Sequence, residues 1–368
     1  MNFQSFFYTC IICFFYSCSS PKNGEKIAKI DIGGTSTTLS EIIKDVSYLK
    51  LETNDSSLIG WIDNIQFIQD KIFVLDKSSK KAVFVFSNSG KFLFKIDQVN
   101  DLGFKFQFPT SVQLHPNQGS IFILDPNMFS ISEYKLNGTF IKERRVEKPP
   151  LHFIALDSNR FLFDYGETTF SKNRLHLVDR NFNTLKKYLK KVSNRRSLGA
   201  SMSLDRNFIS YIPAMSNRIF SIDENGIGDS LMLDFGLEWP DELEIQKIIS
   251  HKHPGWFEIF TKNYPWILIH LETREHLALA FKFEDIKSTF FINKKNMKSI
   301  GSRRYNDDLG LGNIVNIKGV DGDYFLSVLD PHDLLENRAK YANNERLTEI
   351  IKALDTEDNP VVMKFKLK

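Results

Sequence analysis

The most regular stretch of the chain lies at residues 61–96, where short apolar runs alternate with polar breaks. It reads Trp61-Ile-Asp-Asn-Ile-Gln-Phe67, Lys71-Ile-Phe-Val-Leu-Asp76, Ala82-Val-Phe-Val-Phe86 and Lys91-Phe-Leu-Phe-Lys-Ile96. Each run has strand length, and the breaks at Gln69-Asp70, Lys77-Ser-Ser-Lys80 and Ser87-Asn-Ser-Gly90 have turn chemistry. The pattern predicts four consecutive antiparallel strands, the content of one propeller blade. The unit then recurs. Phe108-Pro-Thr-Ser-Val-Gln-Leu114 aligns with 61–67, and Ile121-Phe-Ile-Leu-Asp125 aligns with Ile72-Phe-Val-Leu-Asp76. Weaker copies follow at Leu151–Asp179 and Asn207–Gly226. A fifth takes Trp256–Phe260, Trp266–Leu271 and His276–Phe283 as strands. A sixth takes Phe290–Ile292, Ile314–Ile317 and Asp323–Leu329. Asp76 and Asp125 are 49 residues apart, within the spacing of propeller repeats.

Two regions depart from this rhythm. Between about 331 and 355, Leu347, Ile350, Ile351 and Leu354 are spaced as on a helix, which predicts a short helical insertion near the C-terminus. The chain then ends in an alternating strand at 361–367. Lys26-Ile-Ala-Lys-Ile-Asp-Ile32 also reads as a strand. A ring of blades must close, because an open end leaves an exposed sheet edge. Pairing a strand from one terminus into the blade of the other would close it. The expectation is an all-β, six-bladed β-propeller over 26–368.

The N-terminus carries an address. Phe6–Tyr16 is a mostly apolar run of 11 residues, too short for a bilayer span of about 20 and suited to the core of a secretory signal. Phe15-Tyr16-Ser17-Cys18 resembles a bacterial lipobox, with Cys18 as the acylated residue. This reading makes 1–17 a lipoprotein signal peptide and 18–25 a tether. It places the protein in the cell envelope, anchored in the membrane, with the outer membrane as the expected location. The segment Met1–Ser5 lacks the usual positive charge, and Phe15 stands where Leu is common. A plain signal peptide or a mis-assigned start codon is the alternative.

The chain as a whole resembles the Bacteroidetes-type six-bladed β-propeller lipoproteins, relatives in shape of NHL-repeat propellers. The resemblance rests on the lipobox, Ile30-Asp-Ile32, Leu49-Lys-Leu-Glu-Thr53 with Leu58-Ile-Gly60, and the pieces of the first blade. It extends to Tyr305-Asn-Asp-Asp-Leu-Gly310, Asp333-Leu-Leu-Glu336 and Glu357-Asp-Asn-Pro-Val-Val362. It implies a fold and an address. It brings no substrate and no catalytic residue.

Composition narrows the chemistry. Charged residues make up 25% and the formal net charge is +3, so nothing points to nucleic acid as a partner. The three cysteines are Cys10, Cys13 and Cys18, which excludes thiol chemistry and disulfides from the propeller. No nucleotide-binding glycine loop, zinc-protease or nucleophile-elbow motif is present. Aligning the first strands of three blades puts Asp63, Thr110 and His152 in one column and Gln66 and Gln113 in another. Innermost strands line a propeller's channel, so these five residues are the candidate ligand site, with ordinary channel hydrogen bonding as the competing reading. No cofactor is indicated except calcium, for which the Asp307-Asp308 turn is a weak candidate because a full site needs six to eight oxygens. His251 with His253, Arg195-Arg196, Arg303-Arg304 and the aromatic pairs Trp256-Phe257 and Tyr264-Pro-Trp266 read more simply as turns, surface charge and packing. Two functions remain. One is a binding or scaffold module for a peptide, glycan or protein. The other is a calcium-dependent propeller hydrolase or lyase with its site at the central channel.

Overall fold

The computed structural model describes residues 26–368 except 35, 99–102, 104, 116–118, 158, 169, 192–200, 206–207, 224–225 and 251–254. Cys18, the signal segment, Arg195-Arg196, His251 and His253 lie outside the described residues. Six sheets follow one another around a ring. Blade one is Asn64–Ile68, Lys71–Asp76, Ala82–Ser87 and Phe92–Ile96. Blade two is Ser111–His115, Ser120–Asp125, Ser130–Lys135 and Phe140–Arg145. Blade three is His152–Ala155, Arg160–Asp164, Asn173–Asp179 and Thr184–Lys190; blade four is Ser201–Asp205, Phe208–Ile212, Arg218–Ile222 and Ile227–Asp234. Blade five is Trp266–Glu272, His276–Phe283, Ile286–Asn293 and Ser299–Ser302. Blade six is built from both ends of the chain: Ile317–Asp321, Tyr324–Leu329, Val361–Leu367 and, outermost, Ile43–Lys50. The fold is the six-bladed propeller.

The second and third strands are buried on both faces because each blade is covered on either side, so in blade one, where they are continuous apolar runs, neither side-chain parity meets water. In blade one, Ile72 and Val74 pack towards Leu326, Val328 and Val362 of blade six. The alternate residues Phe73 and Leu75 pack towards Val112, Ile121 and Ile123 of blade two. The same arrangement repeats around the ring, and one apolar cluster fills each blade-to-blade interface. Outer strands meet solvent and alternate instead: in Phe92–Ile96, Leu93 is exposed between half-buried Phe92 and Phe94.

The aspartate that ends the second strand in the two clearest repeats has a structural task. Asp76 Oδ2 accepts the amide protons of Gly60 and Trp61 at 2.8 and 2.9 Å, and Oδ1 accepts those of Ser79 and Lys80 at 2.8 and 3.0 Å. Asp125 does the same for Gln107, Phe108, Asn127 and Met128. One buried carboxylate thus ties the connection into a blade to the turn between that blade's second and third strands. Gly60 has no Cβ because one would collide with Ser79 in this close approach.

Ring closure is the antiparallel pairing of Ile43–Lys50 with Val361–Leu367. Fully buried Asn359 reinforces it. Its Oδ1 accepts the Ile59 amide proton at 2.8 Å, and its Nδ2 donates to Glu52 O and Ser57 O at 2.7 and 2.9 Å. Lys50 pairs with Asp358 at 2.7 Å. Gly90, at φ +80, lies against the Lys50 carbonyl, where a Cβ would clash. The 26–32 segment is not the closing strand. Lys26–Lys29 runs parallel to the outer strand of blade four, and Thr37–Thr38 pairs with Tyr305–Asn306 beyond blade five.

The late blades differ from the sequence reading. Trp256–Asn263 is a helix, not a strand, and with the Glu242–Ser250 helix it fills the connection between blades four and five. Trp256, Phe260 and Met215 form its core, ringed by Trp239 and Trp266. Phe290–Ile292 belongs to the third strand of blade five, and the first strand of blade six starts only at Ile317. The insertion between the second and third strands of blade six holds helices Pro331–Glu336 and Glu345–Lys352, with a 3-10 turn at Arg338–Tyr341. Asp330 and Asn344 cap the two helices through side-chain oxygens.

Two outcomes follow. Deleting residues 360–368 removes the third strand of the closing blade and bares an edge strand; the truncated protein is expected to aggregate on size-exclusion chromatography and to lose its cooperative melt, and an unchanged melt would argue against closure by this strand. Asp76→Ala leaves four amide donors without their acceptor and is expected to cost about 3 kcal/mol, measurable by urea denaturation, whereas the exposed Asp70→Ala should change little.

Candidate functional site

The connections into the innermost strands and the turns between second and third strands lie on one face, joined through Asp76 and Asp125. This face carries the long segments 235–265, 303–316 and 330–360. The innermost strands begin here, so their first residues converge on the channel mouth.

Asp63 precedes the first strand of blade one, and its amide donates to Leu75 O at 2.9 Å. Thr110 holds the equivalent place in blade two, donating to Leu124 O at 2.9 Å. In blade three that place belongs to Leu151, whose amide donates to Asp164 O at 2.7 Å. His152 lies one residue further along, level with Asn64 and Ser111. The aligned column is therefore offset by one residue in blade three. The three residues still gather round one mouth: Thr110 Oγ1 donates to Leu151 O at 3.4 Å, and Lys77 acts electrostatically on His152. Burial, with the Lys77 charge adding to it, pushes His152 down to about 4, so its imidazole is neutral at pH 7.

Lys77, which the sequence comparison passed over, organises this mouth. Its amide donates to Asp63 Oδ2 at 2.9 Å, and its Nζ pairs with Asp63 Oδ1 at 3.2 Å. Lys318, near the start of the first strand of blade six, stands beside them with its Nζ 5.4 Å from the ring centre of Trp61. Burial pushes the Lys318 ammonium down, Asp63 opposes that shift, and Lys77 and Lys287 add to it. The Trp61 side chain is 55% exposed.

Gln66 and Gln113 occupy equivalent places deeper along the channel wall, opposite Phe73 and Phe122. Gln66 Nε2 donates to Asn64 Oδ1 at 2.9 Å and across to Val112 O of blade two at 2.8 Å. Asn64 Nδ2 reaches Lys318 O of blade six at 3.2 Å. Gln113 Nε2 lies 3.5 Å from Ser111 Oγ. These amides tie neighbouring blades together. Similar ties elsewhere are His270 to Ser210 at 2.8 Å and Tyr211 to Asp164 at 3.1 Å. Burial raises the Asp164 carboxyl to about 7.

The other sequence candidates have local tasks. Asp307 accepts the amide protons of Leu311 and Gly312 at 2.8 and 2.9 Å, and Asp308 accepts that of Ser40 at 3.0 Å. Their oxygens cap a turn and the N-terminal segment. Arg303 pairs with Glu284 at 2.8 Å. Trp256, Phe257 and Trp266 pack edge to face against one another.

Comparison with known proteins gives the fold relatives of this ring. A "putative exported protein" of Bacteroides fragilis is similar in structure, with a TM-score of 0.79 at 18% identity over 93% of this chain and 100% of that one. A member of the DUF4221 family from Bacteroides vulgatus is similar with a TM-score of 0.53 at 12% identity, covering 89% of this chain and 98% of that one. No curated protein matches the sequence. A family profile described as "Domain of unknown function (DUF4934)" matches residues 28–366. The chain belongs to the DUF4934 family.

Proposed function

We propose that the protein is an exported, lipid-anchored binding module that captures a peptide, glycan or protein on the face bearing the long connections. One observation carries this reading. Exposed large apolar side chains gather on that face, among them Trp61, Phe108, Phe129, Phe170, Leu237 and Val315. Towards the opposite face the exposed apolar residues are fewer and separate, Leu93, Ile141, Leu185 and Ile227, one at the start of the outer strand in each of blades one to four. Apolar groups gathered beside a polar mouth are the composition of a recognition surface. Export and the envelope address are supported by the Phe6–Tyr16 run, the Ser17-Cys18 pair and the likeness to the exported protein of Bacteroides fragilis.

The calcium-dependent hydrolase or lyase is less well supported. Such a site needs several oxygens at the mouth, and the carboxylate of Asp63 is engaged by Lys77 on both oxygens. The described group of three potential metal ligands, His332, Asp333 and Glu336, is exposed on a surface helix.

Photo-crosslinkers placed at Phe129 and Phe170 are expected to give adducts in intact cells, while the same groups at exposed Asn137 and Asn296 on the opposite face give few. Equal yields from the two faces would sink the assignment. For the anchor, Cys18→Ala is expected to move the protein from the membrane to the soluble fraction, and mass spectrometry should find the wild-type Cys18 acylated.

A further inference from the structure

We infer that the channel mouth recognises the anionic group of an acidic saccharide, with Lys318 and Lys77 holding the charge and Trp61 offering a face to the sugar ring. The inference rests on the reading of this face as the binding face and adds the ligand's chemistry.

The charge at the mouth is unbalanced. Lys77 and Lys287 both act on the Lys318 ammonium, and the carboxylate that opposes them there is Asp63. Asp63 is already committed to Lys77, accepting its amide proton on one oxygen and its ammonium on the other. Lys318 makes no ion pair among the described residues; its neighbour is the Trp61 ring. A partly dehydrated ammonium without a counter-ion is costly, and an incoming anion removes that cost. Other half-buried lysines of the blades do meet carboxylates: Lys366 pairs with Asp323 at 2.9 Å and Lys294 with Glu272 at 2.7 Å.

The rest of the mouth suits a polyhydroxylated ring better than an acidic peptide. The amide and hydroxyl protons of Asn64, Gln66 and Thr110 tie neighbouring blades together, which leaves the oxygens of Gln66 and Thr110 to accept from sugar hydroxyls, and His152 is held neutral, so it offers a donor and an acceptor without charge. Trp61 is the large aromatic group beside the ammonium and is more than half exposed. A carboxylated pyranose matches all three elements: an anion for the lysines, hydroxyls for the wall and an apolar ring face for the indole. A run of aspartates matches the charge alone.

The test is calorimetric titration of the mature chain with trigalacturonate, maltotriose and a hexaglutamate peptide. Trigalacturonate is expected to bind, maltotriose at least tenfold more weakly, and hexaglutamate more weakly than trigalacturonate. Raising salt from low to high ionic strength should weaken the acidic trimer and leave the neutral one unchanged. Lys318→Gln should cost tenfold or more in trigalacturonate affinity, and Trp61→Ala a similar factor, with melting temperatures within a few degrees of wild type. Equal affinity for the neutral and acidic trimers, an unaffected Lys318→Gln variant, or no binding of trigalacturonate overturns the inference. Tighter binding of hexaglutamate also overturns it, in favour of a peptide. The crosslinking comparison is read separately, so the face assignment can survive while the ligand class falls.

Discussion

The pairing of Ile43–Lys50 with Val361–Leu367 is the contact on which the remaining structure depends. Each blade is a sheet whose two faces are buried only because a neighbour stands on either side. Without closure, blade one would expose Ile72, Val74, Phe84 and Phe86, and blade six would expose Leu326, Val328 and Val362. The loss would spread, because every blade-to-blade cluster is wedged in place by the next. Backbone pairing sets the register of the seam, and Asn359 locks it by satisfying three buried backbone groups at once. No disulfide is available to help, since the cysteines end at position 18.

This seam also explains which parts of the sequence could be read. Four of the segments that carried the family resemblance, Leu49–Thr53, Leu58–Gly60, Tyr305–Gly310 and Glu357–Val362, hold the N-terminal segment to the last blades. Their chemistry is specific, because a buried Asn, a capping Asp and a glycine against a carbonyl have few substitutes. The repeated apolar run ending in Asp was legible for a similar reason: Asp76 and Asp125 each serve four amides. Blade three keeps the run, Arg160-Phe-Leu-Phe-Asp164, but its aspartate accepts from Gly166 and Tyr211 instead, and the second strands of blades four and five do not end in Asp. The strands of these blades are specified mainly by burial, which many sequences satisfy, so Trp256–Phe260 passed for a strand when its aromatic residues pack a helix against the rim.

The mouth was only partly legible, for a geometric reason. Asp63 and Thr110 align because each enters a first strand paired with a second strand that ends in the same buried aspartate, Asp76 or Asp125. Blade three brings His152 to the same mouth one residue out of step, and blade six brings Lys318 from a copy too divergent to align. Lys77 was visible as a turn residue, but its reach over the channel depends on Asp63, which binds both its amide and its ammonium. Repetition in sequence identifies what the blades have in common. The mouth's chemistry comes from what they do not share, since a ligand meets one residue from each.

The route of residues 26–50 bears on how such a chain comes to be made. This stretch lies along blade four at Lys26–Lys29, touches the segment after blade five at Thr37–Thr38 and completes blade six at Ile43–Lys50. Its partners are all synthesised long after it. At a translation rate of about 5–20 residues per second, the first strand of the folded protein waits tens of seconds for the last one. During that interval its backbone is an unpaired strand edge, open to aggregation. A chain held unfolded until it is complete, as one threaded through an export channel would be, never passes through that intermediate.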